Sequence, residues 1–478
     1  MLVVFFSLFS LFSQPPQKQD AITTTTPDKN VVSADTTERN VLIDNIFIIG
    51  NKVTKPRIIL REVDVEIGKS YRYDKLQDLL KVDRNKIQNL RLFNSVEISI
   101  LDLSQEKVDI VIVVKERWYT FPSPIFDLAD RNFNDWLQNR DGSFSRTNFG
   151  IKLNRSNFRG RNEELRLTLQ FGFTRKFNLV YRIPYIDQNQ RHGISFQLDY
   201  SENNNIAFQT EDHIQSFYDA DELLRTEQTY GIGYSFRNSF YIFHRLNLNF
   251  NYNTVSDTVA IINPEYYENS NTSQRYFTLR YGFTYDKRDF NPYPLKGHRF
   301  DVDIRKRGLG LFNDLNLWET KFALSQHYDL GKKFFFSNYT SISLTFPSDQ
   351  PYSNFNALGF KKDVVRGYEL YLIEGPRFGL SRSTLKRRIL STKKRVGLIP
   401  LEQFREIPLD IYIKTYFDMG YVQNYDNYQI SSRLADRYIF GTGLGVDFVT
   451  YYDTVIRFEY SVNRENEGGL FFHLKKEF

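Results

Sequence analysis

From about Phe149 to the end, the chain alternates apolar and polar residues with a period of two. Leu165, Leu167, Leu169, Phe171 and Phe173 share one face, and Arg166, Thr168 and Gln170 share the other. Ile194, Phe196, Leu198 and Tyr200 oppose Ser195, Gln197 and Asp199, and Leu246, Leu248, Phe250 and Tyr252 oppose Asn247, Asn249 and Asn251. The same pattern sets Phe277, Leu279, Tyr281, Phe283 and Tyr285 against Thr278, Arg280, Gly282 and Thr284. A period of two means strands with one apolar face. Further strands are expected over 177–183, 230–236, 298–306, 318–328, 334–346, 377–387, 409–421, 437–449, 453–463 and 470–478, with weaker ones near 149–155 and 206–216.

The total is roughly sixteen, near the middle of the range of transmembrane barrels. A soluble sandwich would bury the apolar faces between two sheets. A membrane barrel would turn them to lipid and fill its inside with polar groups. The polar faces here are rich in Asn, Gln, Arg, Gly and Asp, which suits a wet lumen. Connections also alternate in length: 254–274, 348–376 and 422–436 are long, while 174–176, 202–205, 237–239, 331–333 and 450–452 are tight. That alternation matches long outer loops and short periplasmic turns. The expected fold is therefore mainly β: an antiparallel barrel of about sixteen strands over 149–478, preceded by one small α/β domain.

Before the barrel, residues 1–13 form a short apolar run that fits a signal peptide, and 14–40 read as a polar, Thr-rich linker. Residues 41–116 predict β-α-α-β-β. Val41–Ile49 is a strand, Pro56 opens a short helix, and Leu76, Leu79, Leu80, Ile87 and Leu90 recur at helical spacing. Val96–Leu103 and Val108–Lys115 complete the domain as two strands. Residues 117–148 are read as a connector.

Composition sharpens this picture in three places. Cysteine is absent, which removes disulfides, thiolate-ligated metals and a thiol nucleophile. The aromatic excess is carried by 43 Phe and 31 Tyr against 3 Trp, residues suited to pleated surfaces and membrane interfaces. Net charge is +6, too modest to imply nucleic acid. Mean hydropathy is −0.47, which disfavours spanning helices and leaves a barrel open.

Several short segments carry a resemblance. Gly50-Asn51, Gly68 and Leu92-Phe93-Asn94-Ser95-Val96 are placed as in a POTRA domain. Val365-Arg366-Gly367-Tyr368 looks like the V-R-G-F/Y tip of a long sixth extracellular loop, and falls between the eleventh and twelfth expected strands. Tyr285-Asp286-Lys287-Arg288-Asp289 with Pro292, Pro294 and Gly297 is a second barrel motif, and Phe417-Asp418-Met419-Gly420 a third. Over nearly all of 41–478 the chain resembles the BamA/TamA-type outer-membrane assembly factors, the bacterial surface antigen family. The resemblance implies a periplasmic POTRA domain and an outer-membrane barrel of a Gram-negative bacterium. It further implies a factor that inserts or translocates unfolded outer-membrane proteins in contact with outer-membrane lipids, needing no cofactor and catalysing no reaction. The family's lateral seam would lie between the first and last strands, marked here by Phe149 and by Leu470, Phe472 and the terminal Phe478. A dedicated two-partner-secretion-type pore and a passive channel are the alternatives. A single POTRA domain leaves the docking of accessory lipoproteins open.

The residues themselves add a pairing. Phe417, Met419 and Tyr421 share one face, so Asp418 faces the lumen. An arginine on a loop folded into that lumen needs an anionic partner, because an unpaired buried charge is costly. Arg366 and Asp418 are the expected pair, with Glu369 as a third member. Gly441, Gly443 and Gly445 lie on the lumen face and leave room for the loop. Residues 386–408, with Lys386, Arg387, Arg388, Lys393, Lys394 and Arg395, are long for a periplasmic turn and suggest contact with lipid head groups. The six histidines form no H-x-x-x-H or H-E-x-x-H pattern, no G-x-S-x-G is present, and no metal site is visible. Glu211-Asp212-His213 is the nearest approach to a catalytic cluster and reads as loop polarity.

Overall fold

The computed structural model of the protein describes residues 39–128, 133–312, 314–360, 363–395, 406–425, 432–450 and 454–476. The signal segment, nearly all of the linker, and Phe478 lie outside the described residues.

The N-terminal domain comprises β1 (Asn40–Ile49), α1 (Pro56–Leu60), β2 (Ser70–Arg72), α2 (Tyr73–Asn89), β3 (Phe93–Asp102) and β4 (Lys107–Glu116). Pro56 occupies the start of α1, where its missing N–H is an orphan in any case. Leu76, Leu80 and Ile87 give α2 an apolar stripe, buried against Val41, Ile43, Ile110 and Ile112. The sheet order is β2-β1-β4-β3, with β1 parallel to β4 and the other pairs antiparallel. The three-residue β2 is an addition to the expected order, since three residues are too few for a period of two to register. β3 is an edge strand, with β4 its one ladder partner among the described residues.

The remainder forms a sixteen-stranded antiparallel sheet, from Thr120–Leu128 (first) to Gly468–Lys476 (sixteenth). Its packing is inverted relative to the N-terminal domain. Phe417 and Met419 are 52% and 39% exposed on the outer face, and Asp418 between them is 0% exposed within. Phe196, Tyr230, Ile232, Leu246, Leu248, Phe458, Leu470 and Phe472 are likewise exposed. A sandwich would have buried them. Among the described residues no helix is long and apolar enough to cross a membrane.

Two sequence expectations need correction, and they offset each other in the count. The sheet begins at Thr120, inside the segment read as a connector, so Phe149 lies on the second strand (Thr147–Phe158), not at the seam. Pro122 and Pro124 hide this first strand, because proline argues against a central strand. They are tolerated on an edge. Lying two residues apart they face the same side, and the ladder to the second strand runs without a shift from Thr120↔Arg155 to Leu128↔Thr147. Their missing donors therefore face away from that ladder, toward the seam. Conversely, the strand expected near 206–216 is not part of the barrel. Asn205–Glu211 and Ile214–Asp219 form a separate hairpin after the fifth strand (His192–Asn203).

Long connections gather at one rim, called here the loop end, and most short ones at the other, the turn end. Residues 174–176 and 202–205, expected as tight periplasmic turns, lie at the loop end, the first inside the fourth strand (Thr174–Ile183). The N-terminal domain covers the turn end. The Arg237 guanidinium donates to the buried Glu62 carboxylate at 2.8 Å, and the Lys86 ammonium lies 4.0 Å above the Phe240 ring. Gln190 donates to Arg57 O (3.0 Å), and the Lys55 amide donates to Gly160 O (2.9 Å). Gly160 has φ +71°, and a Cβ there would sit 2.1 Å from Val53 O, so the domain rests directly on the backbone of that turn.

Candidate functional site

The site lies in the lumen, against the twelfth (Arg377–Arg395), thirteenth (Glu406–Gln423), fourteenth (Tyr438–Thr450), fifteenth (Thr454–Asn463) and sixteenth strands. Between the eleventh strand (Phe334–Phe346) and the twelfth, the described residues of 347–376 fold inward. Val365, Tyr368 and Ile373 from this loop pack on Leu380, Val422, Leu434 and Ile439, which seats the tip below the loop-end rim.

Seating is possible because the wall opposite carries no side chains there. A Cβ on Gly441 would fall 1.7 Å from Arg366 O, and one on Gly420 would fall 2.7 Å from the Val365 side chain. Gly367 has φ +95°, which glycine adopts without strain, and its carbonyl accepts from the Asn463 side chain at 3.0 Å.

Arg366 is nearly fully buried and reaches Asp418 three times. Its Nη2 lies 2.6 Å from Oδ1, its Nε 2.8 Å from Oδ2, and its backbone amide donates to Oδ2 at 3.1 Å. The guanidinium stacks over Tyr416 with its carbon 3.7 Å from the ring centre, donates to Thr384 (3.0 Å), and meets Glu459 at 3.3 Å. Every face of the cation is thus engaged, as a charge taken out of water requires. Glu459, not singled out from sequence, is a further carboxylate in contact with the guanidinium. Glu369 turns back to accept the Gly367 amide at 2.6 Å, closing the tip on itself.

Beyond this expected pair, the ionic contacts continue down the wall. Glu459 pairs with Lys414 (2.9 Å), Lys414 with Asp447 (2.6 Å), and Arg457 with Asp447 (2.9 Å). His473 on the sixteenth strand lies 3.4 Å from Glu459. At the turn end, Tyr293 donates its hydroxyl to Asp447 at 2.9 Å. Tyr293 belongs to the second barrel motif, whose parts now have separate tasks. The Asp289 carboxylate accepts the amides of Phe290, Leu295 and Lys296 at 2.8–3.2 Å, bending 287–296 inward. Gly297 has φ +100°, and a Cβ there would meet Lys287 O at 2.2 Å. Pro292 and Pro294 flank Tyr293, which packs on Phe335, Tyr412 and Val455. Lys386 lies 4.2 Å above its ring and donates to Pro294 O at 3.3 Å. Asn89 of α2 donates to Asp289 O (3.3 Å), joining the N-terminal domain to the same turn.

Glu459, Lys414, Asp447, Arg457 and Tyr293 were not singled out from sequence. The only signal of the four ionic residues is a charge at a lumen-facing position, one or two to a strand; that of Tyr293 is its place between Pro292 and Pro294 of the second motif.

At the loop end, the 205–219 hairpin covers the inner loop. His213 is buried, its Nε2 accepts the Leu434 amide at 3.0 Å, and its carbonyl accepts the Leu372 amide at 2.8 Å. Burial holds its imidazole down to about 4; Asp212 opposes that shift and Arg433 adds to it. The Glu211-Asp212-His213 cluster is thus a structural clasp. Among the described residues, no three His, Asp or Glu side chains are arranged to hold a metal ion.

Comparison with known proteins gives the following. A family model described as the Omp85 superfamily domain matches residues 157–473, and a POTRA model, described as surface antigen variable number repeat, matches 41–117. Among solved structures, CdiB from Escherichia coli is 11% identical, covering 95% of this chain and 91% of its own, with a TM-score of 0.51. BamA from Haemophilus ducreyi lacking POTRA domains 1–3 is 15% identical over 91% and 83% of the two chains, with a TM-score of 0.49. CdiB from Acinetobacter baumannii is 13% identical over 90% and 72%, with a TM-score of 0.46. At such identities the likeness concerns the fold. No curated protein matches the chain in sequence.

Proposed function

The chain belongs to the Omp85 superfamily, and from that premise we propose that it inserts unfolded outer-membrane proteins into the membrane through a lateral seam between its first and sixteenth strands. Outer-membrane location and the handling of outer-membrane protein substrates go with the family and with the POTRA domain. The orientation that follows puts the turn end and the N-terminal domain in the periplasm and the long loops outside.

One observation carries the reading. Among the described residues, no backbone ladder joins the first strand to the sixteenth, and the first strand presents two prolines to that gap. A closed barrel would pair these edges, because bare amides in hydrocarbon are costly. An incoming hairpin can supply the missing partner. The outer edge of β3 offers an earlier strand-addition site that reads backbone rather than sequence. Burial of the client's own apolar face drives insertion, so no bond is made or broken. Arg366, Asp418 and the ionic contacts below them hold the sixteenth-strand side in a fixed shape.

Depletion of the protein from cells, followed by quantification of the outer-membrane proteome, tests this. Many outer-membrane proteins fall together if the seam serves general insertion. A fall confined to one exported protein would reassign the chain to dedicated translocation.

A further inference from the structure

The twelfth and thirteenth strands outrun their neighbours at the turn end. The eleventh strand pairs with the twelfth only as far as Phe334↔Arg387, and the fourteenth pairs with the thirteenth only from Asp410↔Val449. The pairing of the two strands continues from Leu390↔Ile411 to Arg395↔Glu406, so that 392–395 and 406–409 stand as a two-stranded ribbon past both of these points. The sequence predicts a turn here, one long for its kind, whose basic residues suggest contact with lipid head groups.

The ribbon keeps the barrel's alternation. A bulge between Arg388 and Leu390 shifts the register, so Leu390 and Ile411, Thr392 and Leu409, and Lys394 and Ile407 continue the outward face. Ser391 and Lys393 turn the other way, with Asp410 and Pro408 as partners. Ile389 and Leu390 are 55% and 42% exposed, and Lys393, Lys394 and Arg395 are exposed beside them. Against Asp410 and Glu406, the ribbon and its base carry Arg387, Arg388, Lys393, Lys394 and Arg395.

Two limits bracket where such a ribbon can lie. It cannot sit in hydrocarbon, because among the described residues neither outer edge of 392–395 and 406–409 has a ladder partner beyond the twelfth–thirteenth pairing. Standing free in water, it would expose an apolar stripe on an edge-bearing, two-stranded element that is marginal alone. The headgroup layer satisfies both, since water and phosphates there can pair the edges while the apolar stripe meets the acyl boundary.

We propose that this ribbon lies in the interface of the leaflet at the turn end and binds the headgroup phosphates of anionic phospholipids through Arg387, Lys393, Lys394 and Arg395. The proposal rests on the barrel spanning a membrane, not on which proteins it handles.

The natural absence of cysteine makes a single Leu390→Cys a unique labelling site. The full chain, carrying an environment-sensitive fluorophore there, is reconstituted in vesicles of phosphatidylethanolamine with either phosphatidylglycerol or phosphatidylcholine. Barrel insertion is checked by heat-dependent gel migration. Headgroup nitroxides should quench the probe more strongly than deep acyl-chain nitroxides or aqueous iodide, and more in phosphatidylglycerol vesicles than in phosphatidylcholine vesicles. Changing the four cations to Gln should weaken the preference for anionic lipid on the order of several hundredfold, at about fivefold per residue. An inserted barrel whose probe is quenched chiefly by iodide, or chiefly by the deep nitroxide, overturns the proposal. Equal headgroup quenching in both vesicle types also overturns it, and needs no charge variant.

Discussion

The first strand and the last five strands meet at one seam, yet different forces hold them. The thirteenth to sixteenth strands carry Asp418, Lys414, Asp447, Arg457, Glu459 and His473 on their inner face, with Thr384 of the twelfth beside them, drawn together by Arg366 from above and Tyr293 from below. The first strand keeps its ladder to the second strand, and its prolines have removed donors from the other side. Rigidity on one side and a weakened edge on the other give a seam a fixed jamb and a movable leaf. The contrast teaches that a barrel can be stable as a whole while its closure is left negotiable.

The strongest way to break this contrast is to remove the jamb's anchor. Arg366→Ala strips the buried Asp418 of its three hydrogen bonds from Arg366 and leaves only Arg382 at 3.7 Å, a loss of up to about 3–5 kcal/mol, and should abolish complementation in depleted cells, as should Asp418→Arg. The swap Arg366→Asp with Asp418→Arg should restore growth in part only, because the new carboxylate meets Glu459 and the new guanidinium meets Arg382, now 3.7 Å from Asp418. Full activity of both single variants would remove the pair from the account.

The opposite change strengthens the leaf. Pro122→Val with Pro124→Val returns two donors to the edge, each bond contributing about 1 kcal/mol. Hydrogen exchange at the seam should slow on the order of tenfold or more, and client insertion should slow with it. Unchanged exchange would mean that the prolines do not face the sixteenth strand.

Smaller effects sharpen the comparison. Tyr293→Phe keeps the ring packing and removes one hydrogen bond to a buried carboxylate, costing about 1–2 kcal/mol. The temperature at which the barrel loses its compact gel migration should drop, whereas a change at an unconnected turn should leave it in place.

The clasp at the loop end should respond to acid. His213 titrates near 6.5 when undocked and near 4 when docked, so the docked hairpin binds fewer protons. Its stability is complete above pH 6.5 and is lost progressively as pH falls toward 4. Between pH 7 and 5.5 the loss is at most about 1.4 kcal/mol. Proteolysis of 205–219 should rise over that interval in the wild type and stay flat in His213→Gln.

How much of this was legible depends on the scale of the signal. The period-two faces and the helical spacing of Leu76, Leu80 and Ile87 repeat often enough to fix both domains. Arg366 and Asp418 were also legible, because an arginine folded into a lumen leaves few partners. The first strand was not, since Pro122 and Pro124 read as breakers until the open edge explains them. Nor was the hairpin over 205–219, whose alternation matches a barrel strand although it pairs only with itself. Glu459, Lys414 and Asp447 escaped because each is a single charge in a wall where polar residues are the rule. Only the register of the last strands brings them together.

The most direct test of the account is to lock the seam. One cysteine within Thr120–Leu128 and one within Gly468–Lys476, in a chain that has no other, can be joined by oxidation in vesicles holding the reconstituted protein. Client insertion should stop when the disulfide forms and return when it is reduced. Undiminished insertion by a fully locked barrel would contradict the lateral route.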